Sequence, residues 1–364
     1  MKLTKLYIHN YKSFYDTTIE LDKMNIVVGE NNSGKSNLID VLEFIDIAML
    51  KDIKMAIISK GGLEKILNYN YNEKKIIIES YSVHKNSLMK TRLTFDENME
   101  RVISFFYLNR NNKVIPVYAS GYRMNYSLNK KRIRDYFFKG FSKSDLSVLF
   151  DKSLPFLTKT YAFNMETIRN KSHRKLDREL TKDGENLGET LFKIKQKSSD
   201  NFEIISNSMI GIVNEIEGID VQEVFGSYII GFYEKNRYIG IDMVSDGTIN
   251  LLATVTLLNE NNNKILLLAF DEPERFLHLK AVNYLLENFR ASEKQILITT
   301  HSTEILKYAN LDEILFIYRD SDGDTQSIRA NKIEGLKDML KELSYERDLT
   351  LDELIADGVI GDFR

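Results

Sequence analysis

Residues Gly29-Glu30-Asn31-Asn32-Ser33-Gly34-Lys35-Ser36 set two glycines five positions apart and close on Lys-Ser. Glycines so placed let successive backbone N–H groups curl inward onto phosphate oxygens, and a helix starting there adds its positive end. In this pattern Lys35 neutralises the β- and γ-phosphates of a nucleotide, and Ser36 ligates Mg²⁺. A phosphate loop alone hydrolyses nothing; a second acidic group must hold the metal shell and polarise water. The aliphatic run 265–270 ends in Asp271 and Glu272. Asp271 is expected to bind the Mg²⁺ shell, and Glu272 to be the general base that orients the attacking water. Val244-Ser245-Asp246-Gly247-Thr248 lies just before a helical pattern and 22 residues ahead of Leu267, counted from Ser245. His301 follows an apolar strand pattern and stands 30 residues after Asp271. A lone histidine after a strand is more often structural than catalytic, but this order and spacing make His301 a candidate for the site.

The elements that must position these groups are legible from periodicity. A short apolar strand, 25–28, runs into Gly29, and Leu38, Val41, Leu42, Ile45 and Met49 recur at helical spacing over 37–50. Further strands are expected at 3–10, 19–21, 76–83, 92–95, 114–119, 228–233, 238–241, 295–299 and 314–318, and helices at 249–259 and 281–290. The uninterrupted strand 265–270 has the form expected when both faces of a sheet are covered. Strands alternating with helices make the chain an α/β protein. From 121 to 220 the pattern reads as helical.

Composition excludes several alternatives. The 364 residues contain no Cys and five His, which removes disulfides, thiolate zinc sites and cysteine nucleophiles, and makes an all-histidine metal site improbable. No apolar run reaches the ~18 residues of a spanning helix, and the first residues lack a signal-peptide core, so no membrane partner and a cytoplasmic address are expected. The formal charge of −3 is a sum of opposites: residues 121–182 hold 15 Lys or Arg against 6 Asp or Glu, and the remainder of the chain carries −12. That basic stretch reads either as a solvated helical face or as a surface for nucleic acid or another partner. Residues 334–364 hold 9 acidic against 4 basic side chains and read as a solvated or docking helix.

The stretches Leu6-Tyr-Ile-His-Asn-Tyr-Lys-Ser-Phe14 and Val28-Gly-Glu-Asn-Asn-Ser-Gly-Lys-Ser-Asn-Leu38 resemble the start of ATP-binding-cassette (ABC) ATPases in the branch of SMC proteins, RecF and the OLD ATPases. Asp271-Glu-Pro-Glu-Arg-Phe-Leu-His278, Ser-Asp-Gly-Thr, Thr-Thr-His-Ser and the ending Leu351-Asp-Glu-Leu-Ile-Ala-Asp-Gly-Val-Ile-Gly361 are similar to OLD-like and AbiEii-related (AriA-like) ATPases of bacterial phage defence. The resemblance implies a P-loop ABC-type head with a mixed core sheet flanked by helices and a mainly helical insertion, using ATP and Mg²⁺. It divides the chain into 1–120 and 223–330 as the two parts of the head, 121–222 as the insertion, and 331–364 as an acidic tail. It places Lys12, Ser13, Gly29, Asn31, Asn32, Ser33, Gly34, Lys35, Ser36 and Asn37 at the nucleotide. Ser245 and Gly247 look like the signature motif, which contacts the γ-phosphate of ATP held by the other subunit. His301 looks like the switch histidine, catalytic with Glu272 and Lys35, and 274–278 falls in the D-loop region.

Two departures stand out. No glutamine occurs between the phosphate loop and Gln196, so a Q-loop has no obvious residue, and Arg275 and Phe276 replace the small residues usual after the acidic motif. Long heptad arms are absent, and only 63 residues follow His301, so neither an SMC arm nor an intrinsic nuclease is expected. The function expected is an ATP-hydrolysing switch, a homodimer or higher homo-oligomer, controlling a separately encoded nuclease or toxin. The alternatives are a RecF-like DNA-repair ATPase that holds duplex DNA through 121–182, and a nucleotide-dependent scaffold with negligible turnover.

Overall fold

The computed structural model describes residues 2–51, 53–84, 87–96, 102–103, 157–170, 172–173, 179–260 and 265–336 of the chain. The strand expected at 114–119, most of the basic stretch and nearly all of the acidic tail lie outside the described residues. At the centre is a six-stranded sheet built from β3 (Met24–Val28), β7 (Leu157–Tyr161), β12 (Ile265–Asp271), β13 (Gln295–Thr299), β14 (Ile314–Arg319) and β15 (Thr325–Arg329). Its order is β15-β14-β3-β13-β12-β7, parallel throughout except for the antiparallel β14–β15 pair.

Successive side chains on a strand point to opposite faces, so fully apolar strands feed two cores. Ile26, Leu268, Phe270, Ile296 and Ile298 pack on one side, against α4 (Leu187–Lys197), α5 (Ser199–Ile212), α6 (Asp246–Leu258) and α7 (Leu279–Ala291). Val27, Leu267, Ala269 and Leu297 pack on the other, against α1 (Lys35–Leu50) and α2 (Ile53–Ser59). Beyond α1 lies an antiparallel sheet of β1 (Lys2–His9), β2 (Thr17–Glu20), β4 (Ile76–His84), β5 (Ser87–Phe95) and β6 (Val102–Ile103), in the order β2-β1-β4-β5-β6. Lying between two sheets, α1 buries Leu38, Ile39, Val41, Leu42, Phe44 and Ile45, a wider band than a surface helix needs. A third sheet sets β8 (Ser172–His173), β9 (Gly218–Val224) and β11 (Arg237–Gly240) antiparallel to β10 (Ser227–Glu234).

The strand β7 lies inside the stretch that reads as helical in the sequence. Its residues Leu-Thr-Lys-Thr-Tyr carry β-favouring Thr and Tyr but no aliphatic run, as suits a strand at the sheet edge. The helix α6 begins three residues earlier than its apolar pattern, because Ser245 caps it by accepting from the Thr248 N–H at 3.1 Å.

Candidate nucleotide-binding site

Register fixes the geometry of the site. Asp271 pairs with Thr299, and Thr299 pairs with Val27, so the carboxyl ends of β12, β13 and β3 lie in one row. The acidic pair, His301 and the phosphate loop therefore leave adjacent strands at the same edge, where ligands bind in open parallel sheets. Within the loop, Gly34 has φ 117°, and a Cβ there would sit 2.5 Å from Thr325 Oγ1. A Cβ on Gly29 would sit 2.1 Å from the Ile317 carbonyl of β14, so the neighbouring strand requires that glycine. The Lys35 ammonium donates to the carbonyls of Gly29 at 2.7 Å and Glu30 at 2.9 Å. Burial pulls its pKa below the ordinary lysine value, while the charges of Glu272 and Asp271 oppose that shift. Ser36, Asn31 and Asn32 are exposed, and the buried Ser33 Oγ has no hydrogen-bond partner in the structure.

At the acidic end, Thr299 Oγ1 donates to Asp271 Oδ1, and the Glu272 N–H donates to the Thr299 carbonyl at 3.0 Å. Glu272 adopts φ 48°, left-handed backbone that a non-glycine residue seldom occupies. Its Oε1 lies 3.9 Å from His301 Nε2, and both side chains are partly exposed. Next to this pair, Thr300 donates to Glu274 Oε1, while Glu274 Oε2 is buried without a partner. Burial, helped by the charges of Glu272 and Asp271, raises the Glu274 pKa to about 7.

The signature residues pack on the loop that follows the acidic pair. A Cβ on Gly247 would lie 2.3 Å from the Phe276 carbonyl, so α6 approaches that loop backbone to backbone. Asn250 Nδ2 donates to the Pro273 and Arg275 carbonyls, each at 3.0 Å. Ser245 itself is exposed, and so are the apolar side chains of Met243, two residues before it, and of Phe276 and Leu279, in and just after the loop that Gly247 meets.

The remaining sequence candidates divide. Ser13 Oγ accepts from Asn37 Nδ2 at 2.7 Å and lies 2.8 Å from Thr325 Oγ1, which donates to the Ser33 carbonyl at 2.8 Å. Ser13 and Asn37 thus touch the loop's supports. Lys12 instead pairs with Asp40 of α1 at 2.6 Å. Sequence reasoning missed Thr325, which lies 292 positions from Ser33 and carries no motif. It also missed Asn164, which caps α3 (Met165–Arg169) by accepting from the Thr167 N–H at 3.0 Å. Asn164 lines a cavity of about 400 Å³ together with Asp246, Asn250, Asp271, Glu272 and Arg275.

This donor set suits a nucleotide with its metal: a glycine cradle that a Cβ would fill, a buried ammonium, an unpartnered Ser33 hydroxyl, and Ser36 with Asp271 as hard oxygen ligands. Fold and site together are those of a P-loop nucleotide-binding head. Residues 24–307 match the family described as "AAA domain, putative AbiEii toxin, Type IV TA system", and the chain belongs to that family. No curated protein matches the sequence.

Among solved structures, the chain is similar to an SMC head bound to the C-terminal winged-helix domain of ScpA, with TM-score 0.57 and 16% identity over 90% of this chain and 98% of that one. It is also similar to the Pyrococcus furiosus SMC head with an extended coiled coil bound to the C-terminal domain of ScpA, with TM-score 0.54 and 14% identity over 94% of this chain and 99% of that one. At these identities the likeness speaks for the fold. The chain is an ABC/AAA-type ATPase of SMC-like fold, and among the described residues no helix is long and apolar enough to cross a membrane.

Proposed function

We propose that the protein hydrolyses ATP in a head-to-tail pair of copies and uses closure and opening of that pair to control a separately encoded effector. The observation that carries this reading is the row Val27, Thr299, Asp271, which brings the Gly29–Ser36 loop, His301 and Glu272 to one edge of the sheet. Ser245 is exposed at the start of α6, as are the apolar side chains of Met243, Phe276 and Leu279, which leaves that end of the helix available to a second copy.

In each site Lys35 and the loop N–H groups bind the β- and γ-phosphates, and Asn31, Asn32 and Ser33 shape the loop around them. Mg²⁺ held by Ser36 and Asp271 would neutralise charge developing between the β- and γ-phosphate oxygens. Glu272 takes a proton from the attacking water, and His301, 3.9 Å away, orients that carboxylate and the γ-phosphate. Asn164 supplies at the cavity wall the carboxamide that a Q-loop glutamine would. The partner's Ser245 to Gly247 segment completes the site, so γ-phosphate contacts exist only in the closed pair.

The family description and the Asp-Glu-Pro-Glu…Leu-His form favour a toxin or nuclease effector in anti-phage defence. The SMC heads bound to ScpA domains are a precedent for a protein partner on such a head. A cytoplasmic setting fits an ATP-driven switch. Turnover assays test the hydrolytic assignment: Glu272→Gln should keep ATP affinity and lose about 10²-fold or more in kcat, whereas Lys35→Ala should lose binding. Unchanged turnover in Glu272→Gln would remove Glu272 from its role and leave a nucleotide-dependent scaffold as the better description.

A further inference from the structure

Arg169, at the end of the short helix α3, belongs by sequence to the basic stretch, yet its guanidinium is committed inward. Nη1 donates to the Ile241 carbonyl at 2.7 Å, and Nη2 donates to the Val244 carbonyl at 2.9 Å and to Asp246 Oδ1 at 2.6 Å. These three acceptors bracket the turn 241–246 that leads into Ser245 and α6. A planar fork can satisfy two carbonyls and a carboxylate together, which an ammonium on a flexible stem does poorly.

The helix α3 is in turn fixed by buried Met165 and Ile168, and by Asn164 at its start, which lines the cavity shared with Glu272. We propose that Arg169 is the positioning residue that sets the geometry of the signature turn, so that α3 governs hydrolysis in the site of the partner copy. This rests on the head-to-tail reading of the proposed function. Displacing α3 would release the turn, which makes that helix a direct lever on catalysis.

Mixing variants tests it. Arg169→Ala should bind ATP as the wild type does and melt within a few degrees of it, yet turn over about tenfold or more slower; Arg169→Lys should recover little. Mixed with Lys35→Ala, Arg169→Ala should regain activity, because one of the two sites then joins an intact phosphate loop to an intact signature turn. Mixed with Ser245→Arg, it should stay inactive, because every signature turn is then defective.

Recovery with Ser245→Arg would overturn the assignment to the signature turn. The control pair Lys35→Ala with Ser245→Arg must itself recover; its failure would sink the head-to-tail reading. Independently of pairing, hydrogen exchange at amides 245–248 should quicken in Arg169→Ala, and unchanged exchange there would overturn the proposal.

Discussion

Glu272 and Glu274 sit two positions apart and meet opposite environments. Glu272 is partly exposed beside His301, whereas Glu274 is buried with one oxygen unpartnered and its pKa raised to about 7 by burial. A carboxyl raised from 4.5 to about 7 in the fold holds its proton more tightly there than in the unfolded chain. Its contribution to stability is full below pH 4.5 and is lost as pH rises through 7, by on the order of 3 kcal/mol at most. Glu274→Gln should therefore match the wild type in melting temperature near pH 5 and exceed it at pH 8. A difference that does not change with pH would show that Glu274 is not protonated in the fold. At this scale the sequence displayed the groups that chemistry demands by type, namely Lys35, Ser36, Asp271, Glu272 and His301. It could not display the acceptors of Arg169 or the hydroxyl of Thr325, because those roles exist only through contacts made by distant parts of the chain.

Among the elements, α6 and β15 are the least forgiving supports. The first turn of α6 lies against the Phe276 carbonyl, with no room for a side chain at Gly247. Gly247→Ala should force the helix outward and lower turnover about tenfold or more, while ATP affinity at the Gly29–Ser36 loop stays close to the wild-type value. Equal losses in affinity and turnover would show that the helix shapes its own nucleotide site instead. The strand β15 reaches the loop through Thr325, so Thr325→Val should cost about 1–3 kcal/mol in stability and weaken nucleotide binding, read by calorimetry. Most core elements were legible, since 265–270 is apolar at every position, 296–298 is an aliphatic run, and α1 repeats at helical spacing. The strand β7 was not, because an edge strand half made of Thr and Lys has no apolar signature, yet it completes the sheet beside the acidic strand.

Across the whole molecule, the near-neutral charge conceals how the basic stretch is used. Its described cations Lys159, Arg169 and Lys182 all lie in ion pairs, with Asp46 and Glu179, Asp246, and Glu43 respectively. A composition count could not separate these internally paired charges from charges offered to a partner. An effector switch should show no stimulation of ATP turnover by duplex DNA at low salt. Stimulation that falls steeply as salt rises would favour the repair-clamp alternative.

If ATP joins two copies through Ser245 and Gly247, the mass of Glu272→Gln, measured by light scattering with and without ATP and Mg²⁺, will register it. ATP should convert this variant to a dimer, and adding Ser245→Arg should abolish that dimer. A monomer with ATP fully bound would contradict it.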